Sequence, residues 1–172
     1  GFQNETQIMV HVLSADQENS PDVLAILGTS LALTMSKIPF DGPLAGVRVG
    51  RIQGQWVVNP TYQQLEYSDV EIVVAGTEDA ILMVEGGSVE VPEEDLVDGL
   101  MAAHAGIKEL VALQKEFVDG ITQPTMSWTP VEASPELTDR VMWASAARIA
   151  DAMKIADKAE RSATLQALRT EV

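Results

Sequence analysis

The sequence predicts an α/β (α+β) body followed by a small all-α domain, and three observations support this fold class. The 172 residues are 46% hydrophobic and 22% charged, which is typical of a folded globular chain. In residues 1–122, β-branched runs alternate with helical patterns, so we expect mixed or antiparallel strands and buried helices. Residues 123–133 form a proline-containing linker, and residues 134–172 show helical periodicity alone, which predicts a small all-helical domain.

The first two predicted elements are a strand and a helix that are apolar on every side. Residues 7–13 are β-branched and apolar on both faces, which indicates a strand buried between layers. Ser20 suits a helix N-cap, Pro21 the first helical position and Asp22 the first turn. The helix over residues 23–36 has no polar face, so we expect it at the centre of the fold.

The middle of the chain predicts two β-hairpins. Residues 47–52 and 55–59 are separated by a Gln-Gly dipeptide, and glycine supplies the positive φ that such a turn requires. Residues 70–75 and 80–85 flank a Gly-Thr-Glu-Asp turn and form the second predicted hairpin.

Three helices are predicted after the hairpins. Residues 92–118 begin with acids and carry lysines toward the end, the arrangement that the helix dipole favours. Gln114 is the one lapse in the apolar stripe of this helix. A Ser-Pro-Glu N-terminal signal opens the next helix over residues 134–158, and residues 159–171 form the last one.

Composition excludes several classes of function. The chain has no cysteine and two histidines, which excludes disulfides, thiolate nucleophiles and multi-histidine metal centres. No apolar run reaches the roughly 18 residues of a membrane helix, so we expect no membrane partner. The net charge is −15, and nucleic-acid affinity depends largely on Lys and Arg. We therefore expect this segment alone to repel RNA and DNA, and the missing cysteines and signal peptide indicate a cytoplasmic protein.

A few side chains are candidates for chemistry. His104 and His11 lack a serine or cysteine partner in a recognisable motif, so a structural role is favoured over general-base catalysis. Asp69 and Glu71 share one face of a strand and suit either a magnesium site or a solvated face. Arg48 lies among small residues and is a candidate for phosphate binding, with an ion pair to a nearby acid as the alternative. No catalytic or metal-ligating residue can be named.

An ordered series of motifs resembles a known enzyme family. The motifs are Ser-Pro-Asp with LAILGTSLAL at residues 20–33, IPFDGP with AGVRVG at residues 38–50, VNPT at residues 58–61, and VAGT with ILMVE at residues 74–85. The series resembles bacterial polynucleotide phosphorylase in the second half of its first RNase PH-like domain. Trp128 and the helical tail with Asp-Lys-Ala-Glu-Arg resemble the all-helical linker of that family.

The resemblance implies a homotrimeric, cytoplasmic polyribonucleotide nucleotidyltransferase that degrades RNA from its 3′ end. Inorganic phosphate is the co-substrate, nucleoside diphosphates are released, and the reverse reaction polymerises RNA. The resemblance places Mg²⁺ in a catalytic domain outside this segment, and the main RNA contacts outside it as well. The alternative is a non-catalytic RNase PH-like subunit or assembly module of a hetero-oligomeric RNA-processing complex.

The resemblance also implies that this copy is catalytically silent. Where the family's catalytic copy has a Gly-Ser-Ser phosphate loop, this chain has residues 19–22, in which Pro21 lacks an N–H and Asp22 repels anions. Where the catalytic copy holds its metal with acids, this chain has Asn59, Gln63 and Leu65. We therefore expect a scaffold segment that packs against the rest of the same protein and forms part of the ring interface.

Overall fold

The structure is a computed structural model, and it divides the chain into two compact units. It describes residues 2–121, 124–130 and 132–172. Asn4–Trp128 form the larger unit, and Thr129–Val172 together with Phe2 and Gln3 form the smaller one. The predicted α/β body and the helical region that follows it are confirmed.

The helices and strands of the described residues occur in the predicted order, with one addition and without the strand predicted at residues 7–13. They are α1 (Asp22–Thr34), β1 (Ala45–Ile52), β2 (Gln55–Val58), α2 (Tyr62–Leu65), β3 (Ser68–Gly76), β4 (Ile81–Ser88), α3 (Glu93–Val118), α4 (Pro135–Ala152) and α5 (Lys158–Glu171). The addition is the single turn α2, which a capping box between Thr61 and Gln64 begins.

The four strands form one antiparallel sheet in the order β2-β1-β3-β4. Both predicted hairpins are confirmed, β1 with β2 and β3 with β4. The first turns through Gln53 at φ 52° and Gly54 at φ 77°, the positive angles that a two-residue turn requires.

One face of the sheet forms the core with α3. Alternate residues of β1 and β3 point toward this helix, and Val47, Val49, Val70 and Val74 are at most 1% exposed. From α3, Ile107 is completely buried in the same cluster. Burial of these apolar side chains is the main source of stability for this unit.

Two polar side chains hold the segment that leads into β1. The backbone N–H of Leu44 donates to Ser30 Oγ of α1 at 2.9 Å. The carbonyl of Leu44 accepts from Gln114 Nε2 of α3 at 2.9 Å. Gln114, which interrupts the apolar stripe of α3, therefore makes a buried hydrogen bond. Together with Ser30, it holds the segment between α1 and β1 in place.

The prediction of a buried strand at residues 7–13 is wrong. The segment is irregular and exposed, with Met9 73% and Leu13 94% exposed, and His11 is exposed as well. A strand is stable only when its backbone pairs, and none of the four strands in the described residues pairs with this segment. Apolar composition therefore misled the prediction.

Two expectations for α1 also need correction. The helix begins at Asp22 after Pro21, and Ser20 donates its hydroxyl to the Asp22 carboxylate instead of capping a backbone N–H. Within α1, Val23 and Ser30 are the fully buried residues, whereas Leu24 is 62% exposed. The apolar surface of this helix is thus only partly covered by the sheet.

The smaller unit consists of α4 and α5, and the predicted end of α4 was six residues too late. The helix ends at Ala152 because Asp157 begins a new one by accepting the N–H of Glu160 at 2.8 Å. Arg161 donates to the carbonyl of Ile155 in the turn between them. The division of the chain at Trp128 falls inside the predicted linker.

The predicted domain bounds of 1–122, 123–133 and 134–172 stay a prediction. Four of the residues they include, Gly1, Thr122, Gln123 and Val131, lie outside the described residues. No helix in the described part of the chain is both long enough and apolar enough to cross a membrane.

Candidate functional site

The candidate site lies on the face of the sheet opposite α3. Strand side chains alternate between faces, so Gly46 and Arg48 point away from Val47 and its core neighbours. A Cβ at Gly46 would lie 2.6 Å from Ile26 Cδ1, which shows how closely α1 crosses this face. Glycine at this position therefore lets α1 bring its first turn next to Arg48.

Arg48 is enclosed by two carboxylates. Its Nη2 pairs with Asp22 at the start of α1, and its Nη1 pairs with Glu71 on β3. The Arg48 side chain is only 15% exposed, whereas the two acids are about half exposed. Both terminal nitrogens of the guanidinium thus pair with carboxylates of the same chain, and binding of phosphate by Arg48 stays a prediction.

Asp22 fills the position at the start of α1 where a bound anion would accept N–H groups. Its Oδ1 accepts from the Val23 N–H at 2.8 Å and from the Ser20 hydroxyl at 2.7 Å, and its Oδ2 accepts from Arg48. Partial burial alone raises the pKa of the Asp22 carboxyl, but these donors together lower the pKa below its usual value. The carboxylate is therefore the resident anion of this helix terminus.

The second loop singled out from the sequence lies beside the first. Asn59 Oδ1 accepts from the Arg48 N–H at 3.0 Å, and the Asn59 N–H donates to the Arg48 carbonyl at 2.7 Å. Asn19, Ser20, Arg48 and Asn59 line one pocket together. The structure thus brings the two loops to one place and joins them by hydrogen bonds within the protein.

The loop before α1 is also held by its own hydrogen bonds. Asp16 Oδ1 accepts the N–H groups of Asn19 at 2.9 Å and Glu18 at 2.8 Å. Hydrogen bonds from Asn19, and then from Glu18, lower the pKa of Asp16 to about 2. The carbonyl of Glu18 accepts from Tyr62 N–H at 2.9 Å, which attaches this loop to α2.

The residues at this site do not fit a magnesium ion. Gln63 is exposed on α2, and Leu65 is apolar and packs toward Gly50. The Asn59 side-chain oxygen already accepts a backbone N–H. Across residues 2–121, 124–130 and 132–172, no group of three or more His, Cys, Asp or Glu side chains is arranged to hold a metal ion. Mg²⁺ favours carboxylate oxygens, which these three positions lack.

A second arginine cluster was missed by the sequence analysis. Arg51 donates to Asp69 of β3 at 2.5 Å and to Asp95 of α3 at 2.5 Å, and it lies 5.8 Å from the ring centre of Trp56. The hydrogen bond from Arg51 lowers the pKa of Asp69. Asp69 and Glu71, the candidate magnesium pair, therefore lie on one strand but form ion pairs with two different arginines.

His104 has a structural contact. Its Nε2 lies 3.1 Å from the carbonyl of Thr77, and the residue is 9% exposed on the inner face of α3. This contact joins α3 to the turn of the second hairpin. No serine or cysteine is involved in it.

Comparisons with known proteins agree with the resemblance seen in the motifs. Residues 42–106 match the family model described as 3′ exoribonuclease family, domain 2. The whole chain is 51% identical to a polyribonucleotide nucleotidyltransferase of Gemmatimonas aurantiaca and covers 24% of it. It is 43% identical, again over its full length, to the enzyme of that name from Geobacillus kaustophilus, covering 24%.

A third relative extends the same pattern. The polyribonucleotide nucleotidyltransferase of Sulfurihydrogenibium azorense is 47% identical over 98% of this chain, which covers 24% of that protein. The chain thus spans about a quarter of the length of the curated relatives it matches. The chain is therefore similar, over nearly all of its own length, to about a quarter of each of these polyribonucleotide nucleotidyltransferases.

Proposed function

We propose that this chain is a non-catalytic, structural segment of an enzyme that degrades RNA from its 3′ end by phosphorolysis. The observation that carries this proposal is the Asp22 carboxylate, which occupies the start of α1 and neutralises Arg48. Phosphorolysis requires a site that accepts a phosphate anion and stabilises the charge of the transferred phosphoryl group. A resident carboxylate opposes both requirements.

The other parts of the reaction belong, in this proposal, outside the segment. Inorganic phosphate is the co-substrate, nucleoside diphosphates are the products, and Mg²⁺ and most RNA contacts belong to the remaining three quarters of a longer, homotrimeric, cytoplasmic protein. The net charge of −15 supports this division, because RNA affinity requires Lys and Arg surfaces. A separate subunit of a hetero-oligomer is not favoured, since the relatives matched over the whole chain carry the enzyme name.

The test uses the longer protein that contains this segment, with Arg48→Gln as the variant and Arg51→Gln as the matched control. Each arginine pairs with two carboxylates and is similarly buried, at 15% and 17% exposed. Release of nucleoside diphosphates from poly(A) is followed with orthophosphate and Mg²⁺ present. We expect both variants to lower the unfolding midpoint similarly and to leave the KM for orthophosphate unchanged.

Two results would contradict the proposal at different points. Absence of phosphate-dependent diphosphate release from the unaltered protein would contradict the reaction. A rise in the KM for orthophosphate in Arg48→Gln but not in Arg51→Gln would contradict the structural role, because it would place Arg48 in contact with phosphate.

A further inference from the structure

Strand β4 forms one edge of the sheet in the described residues. Seven of its eight residues pair with β3, and its other side has no partner strand in the part of the chain that the structure describes. The opposite edge, β2, has four residues. A long edge strand with free N–H and carbonyl groups is a template for pairing with another strand.

The side chains of β4 are also uncovered on both faces. Leu82 is 64% and Val84 51% exposed, and Met83, on the opposite face from Val84, is 37% exposed. Consecutive apolar side chains at an edge are unusual in a surface strand, because edges are normally protected with charges or proline. Residues 81–84 of β4 have the apolar composition of an inner strand, whereas the Glu-Gly-Gly-Ser stretch that follows does not.

An acidic shelf adjoins β4 on the face that carries Arg48. We define the shelf by the carboxylates of Asp22, Asp69, Glu71 and Glu85 around the single guanidinium of Arg48. Three of these acids pair with arginines of β1, but Glu85 of β4 makes no ion pair within the described residues. The shelf therefore retains negative charge directly beside the free edge.

We propose that β4 is an inner strand in the longer protein, and that a basic, extended segment of the same polypeptide pairs with it as a fifth strand. Lys or Arg side chains of that segment would lie over the shelf, with their aliphatic stems on Met83 and their charges near Glu85. Apolar side chains on its other face would cover Leu82 and Val84. The partner sequence alternates basic and apolar residues.

The same polypeptide is the source because about three quarters of each matched relative lies outside this segment. A strand on the same chain pairs at a far higher effective concentration than one from another protein. A second copy of this acidic surface is disfavoured, since residues 1–95 of the chain carry most of its net charge. This proposal rests on the proposed function in one respect, that the chain is part of a longer protein.

The first test is amide hydrogen exchange in the longer protein, without any added partner. We expect the β4 amides to be protected like those of the inner strand β3, exchanging at least about tenfold more slowly than an open edge allows. Rapid exchange along β4, at the rate of an unpaired edge, would overturn the proposal. Phosphorolysis is measured on the same samples, so failure of the enzyme activity is seen separately.

The charge requirement is tested with Glu85→Lys and Glu85→Gln, and with Glu116→Lys on the exposed surface of α3 as the matched control. Glu85→Lys should speed β4 exchange about tenfold or more, Glu85→Gln less, and the control not at all. If Glu85→Lys prevents folding, β4 exchange in the milder variant Glu85→Gln still tests the charge requirement. Unchanged exchange in both Glu85 variants would overturn the assignment of a basic partner.

The source of the strand is tested with a benzophenone side chain introduced at Leu82, which crosslinks to any neighbouring residue on illumination. Isotopically labelled and unlabelled protein are mixed before illumination. We expect crosslinked peptides from a Lys- or Arg-containing segment of the same polypeptide, with labels that match. Mixed labels, a crosslink to a different protein, or no crosslink to protein would each overturn the assignment to the same polypeptide.

Discussion

The two faces of the sheet differ, although they are formed by alternate residues of the same strands. The face toward α3 is built from small branched side chains such as Val47 and Val74, which are completely buried. The face toward α1 carries Arg48 and Glu71, which meet Asp22 from the helix. Stability on the first face depends on apolar packing, whereas the second depends on charges that compensate one another.

This difference is compatible with the scaffold role proposed above. Packing against α3 does not depend on the chemistry of the opposite face. At the start of α1, the Asp22 carboxylate accepts the Val23 N–H, a position at which a helix terminus can also bind an anion.

The largest effect is expected on the α3 face. Ile107→Ala removes a completely buried side chain from the central cluster and should lower the free energy of unfolding by about 2–5 kcal/mol. Chemical denaturation measures the change. Leu113→Ala on the same helix, where the side chain is 56% exposed, is the control and should change stability little. Equal losses in the two variants would contradict the assignment of the core to this face.

A smaller loss in the free energy of unfolding is expected for a substitution on the α1 face. Arg48→Gln leaves Asp22 and Glu71 without their cation, and because both acids are about half exposed, water limits the loss to about 1–2 kcal/mol. Arg51→Gln should also lower the unfolding midpoint, since its two acids are similarly exposed. A much larger loss for Arg51→Gln than for Arg48→Gln would show that the two clusters are not comparable.

His104 tests whether a titratable group on the α3 face has a role in chemistry. His104→Ala removes the contact with the Thr77 carbonyl and should cost about 1 kcal/mol, the usual contribution of one hydrogen bond. The phosphorolysis rate of the longer protein, measured well below its unfolding temperature, should stay unchanged. A lower phosphorolysis rate in a His104→Ala variant that is still fully folded would indicate that His104 takes part in catalysis.

The smallest effect is expected in the pH dependence of stability. The pKa of Asp22 is lower in the folded protein than in the unfolded chain, so its contribution is present above about pH 4. That contribution is lost as the pH falls through the folded value. Asp22→Asn should therefore reduce the decline in the unfolding midpoint below pH 4. An unchanged decline would contradict the hydrogen bonds assigned to Asp22.

Local sequence patterns predicted much of the fold. The main error concerns a strand, whose formation depends on a partner far away in the sequence. The first hairpin depends on a two-residue turn, Gln53 and Gly54, which the sequence displays directly. Residues 7–13 have an equally strong apolar pattern but no strand partner in the described residues, so the pattern misled. Strand formation depends on a neighbour that the local sequence does not contain.

The sequence singled out the cation of the candidate site, Arg48, but not the carboxylates that pair with it. Arg48 stands out because few cations occur in the first half of the chain. Its acids, Asp22 and Glu71, are 26 and 23 residues away. The crossing of α1 over β1 brings Asp22 to Arg48, and the pairing of β1 with β3 brings Glu71 to it. The cap expected from Ser20 failed for a local reason, because the Asp22 carboxylate two residues later accepts its hydroxyl.

In the scaffold role proposed above, Asp22 excludes phosphate from the start of α1. Crystals of the longer protein soaked in selenate, a phosphate-like anion located by its anomalous signal, test this directly. We expect no selenate peak within hydrogen-bond distance of Arg48 or of the Val23 N–H. A peak there, with Asp22 displaced from Arg48, would contradict it.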